Sequence, residues 1–294
     1  MLVDMQGQID SIRAGVDHFS AQTDSFNHTE LKKWFTNEIL ITGCGATYAL
    51  AMTTASLYRK KGFRSTAIPA SEIFFYPGTI PQGTTTLIAF SRSGETSETL
   101  KAVERFRECI PQGKVIAITA NIRSALAKTS DLLLDCSIAS EVSIIETKTF
   151  SVMLILAQLL ITWLQKHNNG IEVLRPISNN LESDLGKVIK VAERITKNEE
   201  LNRFIFLGSG PLFGIAYQAS LTLKECFAGW SEAFHPLEFR HGPRTTATKG
   251  ALICLYASDN DQIAEQEKLV LTEMKDQGAY TLIFSVKNHI FDKF

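Results

Sequence analysis

Serine, threonine and glycine residues crowd into one stretch of the chain, "LIAFSRSGETSETL" (87–100), which begins as an apolar run. The order of residues predicts a buried strand, then a loop, then a helix. Such a loop places backbone N–H groups at the positive end of the helix, where an anion is stabilised. Ser91, Ser93 and Thr96 add hydroxyl donors, and Gly94 allows the backbone to approach a ligand closely. The pattern suits a phosphate group, although a well-capped helix explains the same residues equally well.

A second glycine-containing turn, "GCGATY" (43–48), follows an earlier apolar run. It matches the start of a dinucleotide-binding fingerprint, but Tyr48 stands at the third glycine position and no acidic residue ends the next strand. The hydroxyl-rich loop likewise lacks the lysine of a nucleoside-triphosphate loop. We therefore expect no cofactor.

Ionisable residues are concentrated in "LTLKECFAGWSEAFHPLEFRHGP" (221–243). Glu225 lies near the end of a predicted helix, where the helix dipole disfavours a carboxylate by about 0.3–1 kcal/mol. A site that needs a base would justify this position, and so would a salt bridge with a neighbouring lysine or arginine. His241 precedes a Gly-Pro pair that cannot continue a helix, so its ring is displayed from a loop. His235, which precedes a proline, has a similar claim.

Composition limits the class of protein. A chain of 294 residues has room for two domains, and 45% apolar with 21% charged residues is typical of a globular protein. A net charge of -1 argues against a nucleic-acid partner. The five cysteines form no paired motif and the histidines no metal-binding spacing, so we expect no metal site. The longest apolar run (151–164) is too short to span a bilayer, and the first residues have no signal-peptide pattern, which predicts a cytoplasmic protein without a membrane partner.

Apolar strands alternate with helices along the chain, which indicates parallel sheets covered by helices on both faces. The strands predicted in the first half are 39–42, 65–70, 85–90, 114–119 and 131–136. The segment 205–221 then repeats the pattern of 40–56 at a constant offset, with Gly43 matching Gly208 and Gly45 matching Gly210. The sequence therefore predicts two α/β domains of one plan, joined near the polar segment 165–174.

Five motifs together give the chain a resemblance to the sugar isomerase (SIS) family. They are "GCGATYAL", "ASEIFFY", "FSRSGETSETL", "EVSIIETKTF" and "LKECFAGWSEAFHPLEFRHGP", in family order. The likeness is to the isomerase half of glucosamine-6-phosphate synthase and to the related glucosamine-6-phosphate deaminases. It implies two flavodoxin-like SIS domains with parallel sheets flanked by helices: 1–168, which carries the phosphosugar site, and 169–294, which is apparently truncated.

The resemblance also implies roles for individual residues. The phosphate of the sugar is held by a set of loop residues: Thr47, Ser91, the backbone of Arg92, Ser93 and Thr96. Glu225 stands at the position of the base that moves a proton between C1 and C2 of the open-chain sugar. His241 matches the histidine that opens the sugar ring and reaches the site from the partner subunit, which implies a homodimer.

Glu146 departs from the family pattern, because the synthase has a small hydroxyl residue at this place. A carboxylate there pairs with a substrate ammonium or, alternatively, caps the helix that follows. The expected function is conversion of glucosamine 6-phosphate to fructose 6-phosphate and ammonia. Two alternatives remain open: a deglycase that releases an amino acid from a fructosamine 6-phosphate, and a sugar-phosphate sensor without catalysis.

Overall fold

The computed structural model describes residues 1–165 and 177–292. The chain forms two compact units, Met1–Val188 and Ile189–Phe294, which are described separately below. The predicted domain boundary at residues 168 and 169 lies outside the described residues. Helix α9 (Ile177–Thr196) runs across the division between the two units.

Unit 1 alternates helices and strands, as the sequence predicts. Its elements before α9 are α1 (Leu2–Gln6), α2 (Gln8–Thr23), α3 (His28–Trp34), β1 (Glu38–Thr42), α4 (Ala46–Lys60), β2 (Ser65–Ala67), α5 (Ala70–Phe75), β3 (Thr84–Phe90), α6 (Ser97–Cys109), β4 (Lys114–Thr119), α7 (Ala125–Thr129), β5 (Leu132–Asp135) and α8 (Lys148–Leu164), with single 3₁₀ turns at Pro77–Thr79 and Ser137–Ala139. Helix α5 was not predicted, because its six residues are too few to show a helical period.

The five strands of unit 1 form one parallel sheet in the order β2-β1-β3-β4-β5, which is the flavodoxin-like order. Alternate side chains of each central strand enter opposite cores. In β3, Ile88 and Phe90 join the cluster beneath α2, α4 and α8, while Leu87 and Ala89 join the cluster beneath α5 and α6. Burial on both faces explains why these strands read as continuous apolar runs, since each buried side chain of this size contributes about 1.5–3 kcal/mol.

The longest apolar run forms α8, whose buried residues extend along most of its length. The hydroxyl of Tyr58, which is fully buried in α4, donates a hydrogen bond of 2.8 Å to the carbonyl of Ala157 in α8. Burial raises the pKa of Tyr58, so the phenol stays protonated and keeps this donor. Across 1–165 and 177–292, none of the helices combines the length and the hydropathy that a membrane crossing requires.

Unit 2 repeats the plan with a smaller sheet. Its elements after α9 are β6 (Arg203–Gly208), α10 (Pro211–Phe227), β7 (Ser231–Phe234), α11 (Pro236–Phe239), a 3₁₀ turn (Pro243–Thr246), β8 (Ala251–Tyr256), α12 (Asp261–Asp276), β9 (Tyr280–Phe284) and α13 (Asn288–Phe291). Its described strands are parallel in the order β7-β6-β8-β9. This corresponds to the first four positions of the unit 1 sheet, and the truncation of the second domain stays a prediction.

The matching glycine turns have the same geometry in both units. Gly45 has φ 56° and ψ -120°, and Gly210 has φ 57° and ψ -124°, each immediately before the helix that follows the first strand of its sheet. A β-carbon on Gly43 would lie 2.6 Å from the backbone of Thr47, so no larger residue fits there. The repeat predicted from sequence is therefore a repeat of backbone structure.

Candidate functional site

The hydroxyl-rich segment forms a loop of residues 91–96 at the carboxyl end of β3, in the centre of the unit 1 sheet. Ser91 is 1% exposed, and its Oγ lies 3.0 Å from Oγ1 of Thr96. The N–H of Gly94 donates to the same Ser91 Oγ at 3.0 Å. These contacts fold the loop back on itself, so that its hydroxyls and N–H groups lie within one small region at the start of α6.

Helix capping does not account for the loop. Thr96 occupies the N-cap position of α6, yet in the part of the chain that the structure describes its hydroxyl makes no capping hydrogen bond. Oγ1 of Thr96 instead meets Ser91 across the loop. The hydroxyl of the exposed Ser93 accepts from the N–H of Glu95 at 3.2 Å. The first-turn N–H groups of α6 have no backbone acceptor within the helix, as at any helix start, and favour an anion; the carboxylate of Glu98 accepts from its own N–H.

Gly94 is required by the shape of the loop. Its φ is 65°, in the left-handed region, and a β-carbon added to it would overlap the side chain of Ser124. The carbonyl of Gly94 accepts from the N–H of Leu126 at 3.1 Å, and Glu95 accepts from the N–H of Ala125 at 2.9 Å. These two hydrogen bonds from the first residues of helix α7 hold the loop in place.

Thr47 lies after β1, the strand beside β3, so both loops open at the same edge of the sheet. Its hydroxyl donates to the carbonyl of Cys44 at 2.8 Å and accepts from the N–H of Cys44 at 2.8 Å. Cys44 Sγ in turn lies 3.6 Å from Oγ1 of Thr99 in α6. The structure therefore gives Thr47 a local role in shaping the turn next to loop 91–96.

Arg92 connects loop 91–96 to the segment that precedes α8. Its guanidinium lies 3.3 Å from Oε1 of Glu141 and 3.9 Å from Oε1 of Glu146, and it donates to the carbonyl of Ile144 at 2.8 Å. The Glu146 side chain is 12% exposed. Two carboxylates therefore lie close to one guanidinium.

Glu141, which is not among the predicted site residues, organises the acidic segment 141–147 before α8. Its side chain is 2% exposed and accepts from the N–H of Thr147 at 2.9 Å and from the hydroxyls of Thr147 and Thr149. Burial raises the pKa of the Glu141 carboxyl, but the hydroxyls and backbone N–H groups of Thr147 and Thr149 together outweigh it, so the pKa lies below its ordinary value. The carboxyl group is thus held in its charged form beside Arg92.

Asp4, near the start of the chain, holds the same segment through hydrogen bonds to its backbone. Asp4, 2% exposed, accepts from the N–H of Val142 at 3.2 Å and of Ser143 at 3.0 Å. Lys148 lies 3.4 Å from Asp4, so this lysine is paired away from Glu141 and Glu146. The acidic segment is therefore held in place from both of its ends.

The two predicted catalytic residues belong to unit 2. Glu225 lies in the last turn of α10 and its side chain is exposed. His241 is exposed in the turn after α11, next to Gly242 with φ 115°, as its Gly-Pro context predicts. His235 is different: its ring stacks on Phe213 with centroids 4.0 Å apart, and burial lowers its pKa. Both histidines are exposed, but the ring of His235 is stacked on an aromatic neighbour.

The predicted residues fall into two groups. Thr47 and the loop residues lie at one sheet edge of unit 1, and Arg92 connects that loop to Glu146. Glu225 and His241 lie in the second unit, so their catalytic roles stay predictions. The one signal for Glu141 was its place in "EVSIIETKTF", a glutamate followed at short spacing by two threonines that are able to bond it.

Comparison with known proteins identifies relatives along nearly the whole chain. A family model described as SIS domain matches residues 35–163. The glutamine–fructose-6-phosphate aminotransferase (isomerizing) of Sulfolobus acidocaldarius is 27% identical over 283 residues, covering 95% of this chain and 46% of that protein. The enzyme of the same name from Haemophilus influenzae is 26% identical over 293 residues and 47% of its length. The chain thus spans about half the length of the curated relatives it matches.

Solved structures share the fold. The glucosamine-6-phosphate deaminase of Thermotoga maritima is 30% identical, with a TM-score of 0.73, over 95% of this chain and 85% of that one. The tagatose-6-phosphate ketose/aldose isomerase of Escherichia coli has a TM-score of 0.86 over 97% of this chain and 81% of that one; at 22% identity it is evidence of fold alone.

Proposed function

We propose that this chain, which belongs to the SIS family, binds a hexose 6-phosphate and converts it between aldose and ketose forms. The specific reaction we propose is conversion of glucosamine 6-phosphate to fructose 6-phosphate and ammonia. The observation that carries the proposal is loop 91–96, a hydroxyl-rich turn with a glycine at the carboxyl end of the central strand β3. The hydroxyl of Thr96 in this loop makes no capping hydrogen bond, and the loop lies beside the acidic segment.

The loop supports the phosphate part of the proposal. Ligands of open α/β sheets bind beyond the carboxyl ends of the strands, where loop 91–96 lies. A phosphate carries about -1.5 to -2 charge and accepts several hydrogen bonds, which suits clustered hydroxyls and helix-start N–H groups. In this assignment Ser91, Ser93, Thr96 and the Arg92 N–H hold the phosphate, and Thr47 shapes the neighbouring turn.

The acidic segment supports an amino sugar as the substrate. Glu141 and Glu146 bring two negative charges to the single guanidinium of Arg92. A neutral hydroxyl at C2 of the sugar gains little from a nearby carboxylate, whereas an ammonium is attracted to it. We assign Glu146 to the amine because its side chain is more exposed than that of Glu141, 12% against 2%.

The reaction needs one base and one group that opens the ring. Once His241 has assisted ring opening, Glu225 takes the proton from C2 of the amino aldehyde and returns a proton to C1. The aldehyde carbon becomes a hydroxymethyl group and the amine becomes an imine at C2, which water hydrolyses to the ketone and ammonia. Proton transfer by a positioned residue typically contributes about 10²–10⁴-fold. The bound phosphate holds the reacting carbons in place.

Ammonia release from glucosamine 6-phosphate tests the proposal. We expect turnover by the wild type, a loss of at least about 100-fold in kcat for Glu225→Gln, and unchanged KM within a few-fold. Glu265→Gln, which neutralises an exposed glutamate on α12, is the matched control and should keep full activity. Equal activity of the Glu225→Gln variant and the wild type would remove the base assignment.

Parallel assays separate the alternatives. Conversion of a hexose 6-phosphate without ammonia would assign a simple isomerase, and release of an amino acid from a fructosamine 6-phosphate would assign a deglycase. Binding of these phosphosugars without any turnover would assign a sensor. A His241 that acts in the site of the partner subunit requires a homodimer, and sedimentation of the purified chain measures the oligomeric state directly.

A further inference from the structure

Unit 2 contains a buried carboxylate that the proposed reaction does not use. Glu267 of α12 is 1% exposed. Its Oε2 accepts from the backbone N–H of Ser258 at 2.8 Å, and its Oε1 accepts from the hydroxyl of Ser209 at 2.7 Å. Ser209 follows β6 and Ser258 follows β8, so one side chain binds the loops at the ends of two adjacent strands.

The N–H that binds Glu267 corresponds to a phosphate-binding group of unit 1. The N–H of Ala257 donates to β9 at 2.9 Å, just as the N–H of Ser91 donates to β4 at 3.2 Å. The strands are in matching register in both sheets, so Ala257 corresponds to Ser91 and Ser258 to Arg92. The Arg92 N–H is the backbone donor that we assign to the phosphate, and its counterpart is bonded to Glu267.

The second donor also lies in an equivalent place. Ser209 stands between two matched glycines, as Cys44 does in unit 1. In unit 1, Sγ of Cys44 lies 3.6 Å from the short side chain of Thr99, at the start of α6. In unit 2 the longer Glu267, one turn further along its helix, reaches the corresponding position, since helical side chains lean toward the helix start.

We infer that Glu267 fills, from within the chain, the anion position of unit 2 that corresponds to the phosphate position of loop 91–96. The carboxyl group offers two acceptor oxygens, which satisfy a backbone N–H and a hydroxyl that a phosphate would otherwise bind. Burial raises the pKa of Glu267, and these two hydrogen bonds oppose the rise by favouring the charged form. This position of unit 2 is thereby closed to phosphate, and of the two corresponding positions in the described residues only that of loop 91–96 is open to one. The inference rests on the proposed phosphate role of loop 91–96 only for the comparison between units.

Removal of the side chain tests the inference with inorganic phosphate as the probe. We expect Glu267→Ala to bind one phosphate per chain more than the wild type in equilibrium dialysis with radiolabelled phosphate. Glu267→Gln, which keeps the volume and an acceptor oxygen, should bind the same number as the wild type. The wild-type number reports on loop 91–96, whereas the difference between variants reports on Glu267, so the two assignments fail separately.

Folding of the variants is followed by circular dichroism with and without phosphate. A folded Glu267→Ala protein without the additional phosphate overturns the inference. The inference is equally overturned when Glu267→Ala stays unfolded at every phosphate concentration while Glu267→Gln folds. In that case the fold requires the volume of the side chain and not an anion at this position. Recovery of the folded Glu267→Ala protein on addition of phosphate supports it.

Discussion

Replacement of Thr96 by valine isolates the contribution of one hydroxyl to phosphate binding. Valine keeps the branched shape of threonine but removes the group that lies 3.0 Å from Oγ of Ser91. Hydrogen bonds to a charged group contribute about 1.5–3 kcal/mol, and a change of about 1.4 kcal/mol alters the dissociation constant tenfold. We therefore expect the dissociation constant for glucosamine 6-phosphate to rise by about 10- to 100-fold.

The same change should affect stability much less. The Ser91–Thr96 contact is one hydrogen bond between hydroxyls, which contributes about 0.5–1.5 kcal/mol to the free energy of unfolding. Isothermal titration with glucosamine 6-phosphate and urea denaturation measure the two effects on one preparation. Ser97→Ala is the matched control, because Ser97 is exposed at the same helix start and its hydroxyl is bonded to Glu98 at 2.8 Å. A dissociation constant of Thr96→Val within twofold of the wild type refutes the assignment of loop 91–96.

Three further predictions concern the support of the site. Gly94→Ala should reduce the free energy of unfolding by about 1–3 kcal/mol and abolish phosphosugar binding, because the left-handed φ and the overlap with Ser124 displace the loop; urea denaturation and titration measure both. Tyr58→Phe should lower stability by about 1 kcal/mol in urea denaturation, since it removes the buried donor to Ala157, with phosphosugar affinity unchanged. Glu141 has a folded pKa below its ordinary 4.5, so its stabilisation is present above that pH and is lost as pH falls through the folded pKa; the stability difference between wild type and Glu141→Gln should therefore shrink in acid, and a constant difference from pH 7 downward contradicts this.

The sheets could be predicted from sequence because their strands are buried on both faces. Strand β4 has the bounds that its apolar run predicts. Strand β7 (Ser231–Phe234) was missed, because it has four residues and contains a glutamate. Edge strands have one neighbour and a partly exposed face, so their sequences carry a weak apolar signal.

The hydroxyls of the candidate site could be located from the sequence, but their use could not. A serine or threonine before a helix predicts a cap, and only the geometry shows that Thr96 turns to Ser91. The pairing of Arg92 with Glu141 was beyond prediction for a different reason. Many residues separate the two in the chain, and the contact depends on how the segment before α8 returns to the sheet edge.

The two units share the backbone structure of their glycine turns but not the side chains of the loops after β3 and β8. Gly43 and Gly208 are both fixed by crowding, because a β-carbon at either position meets the backbone of the following helix. This constraint belongs to the strand-to-helix turn itself and acts whether or not a ligand is bound. The loops after β3 and β8 have no such shared constraint, and we propose that a ligand keeps the hydroxyls in the first of them. In unit 2 a side chain of the next helix, Glu267, accepts instead from the N–H of Ser258 and the hydroxyl of Ser209.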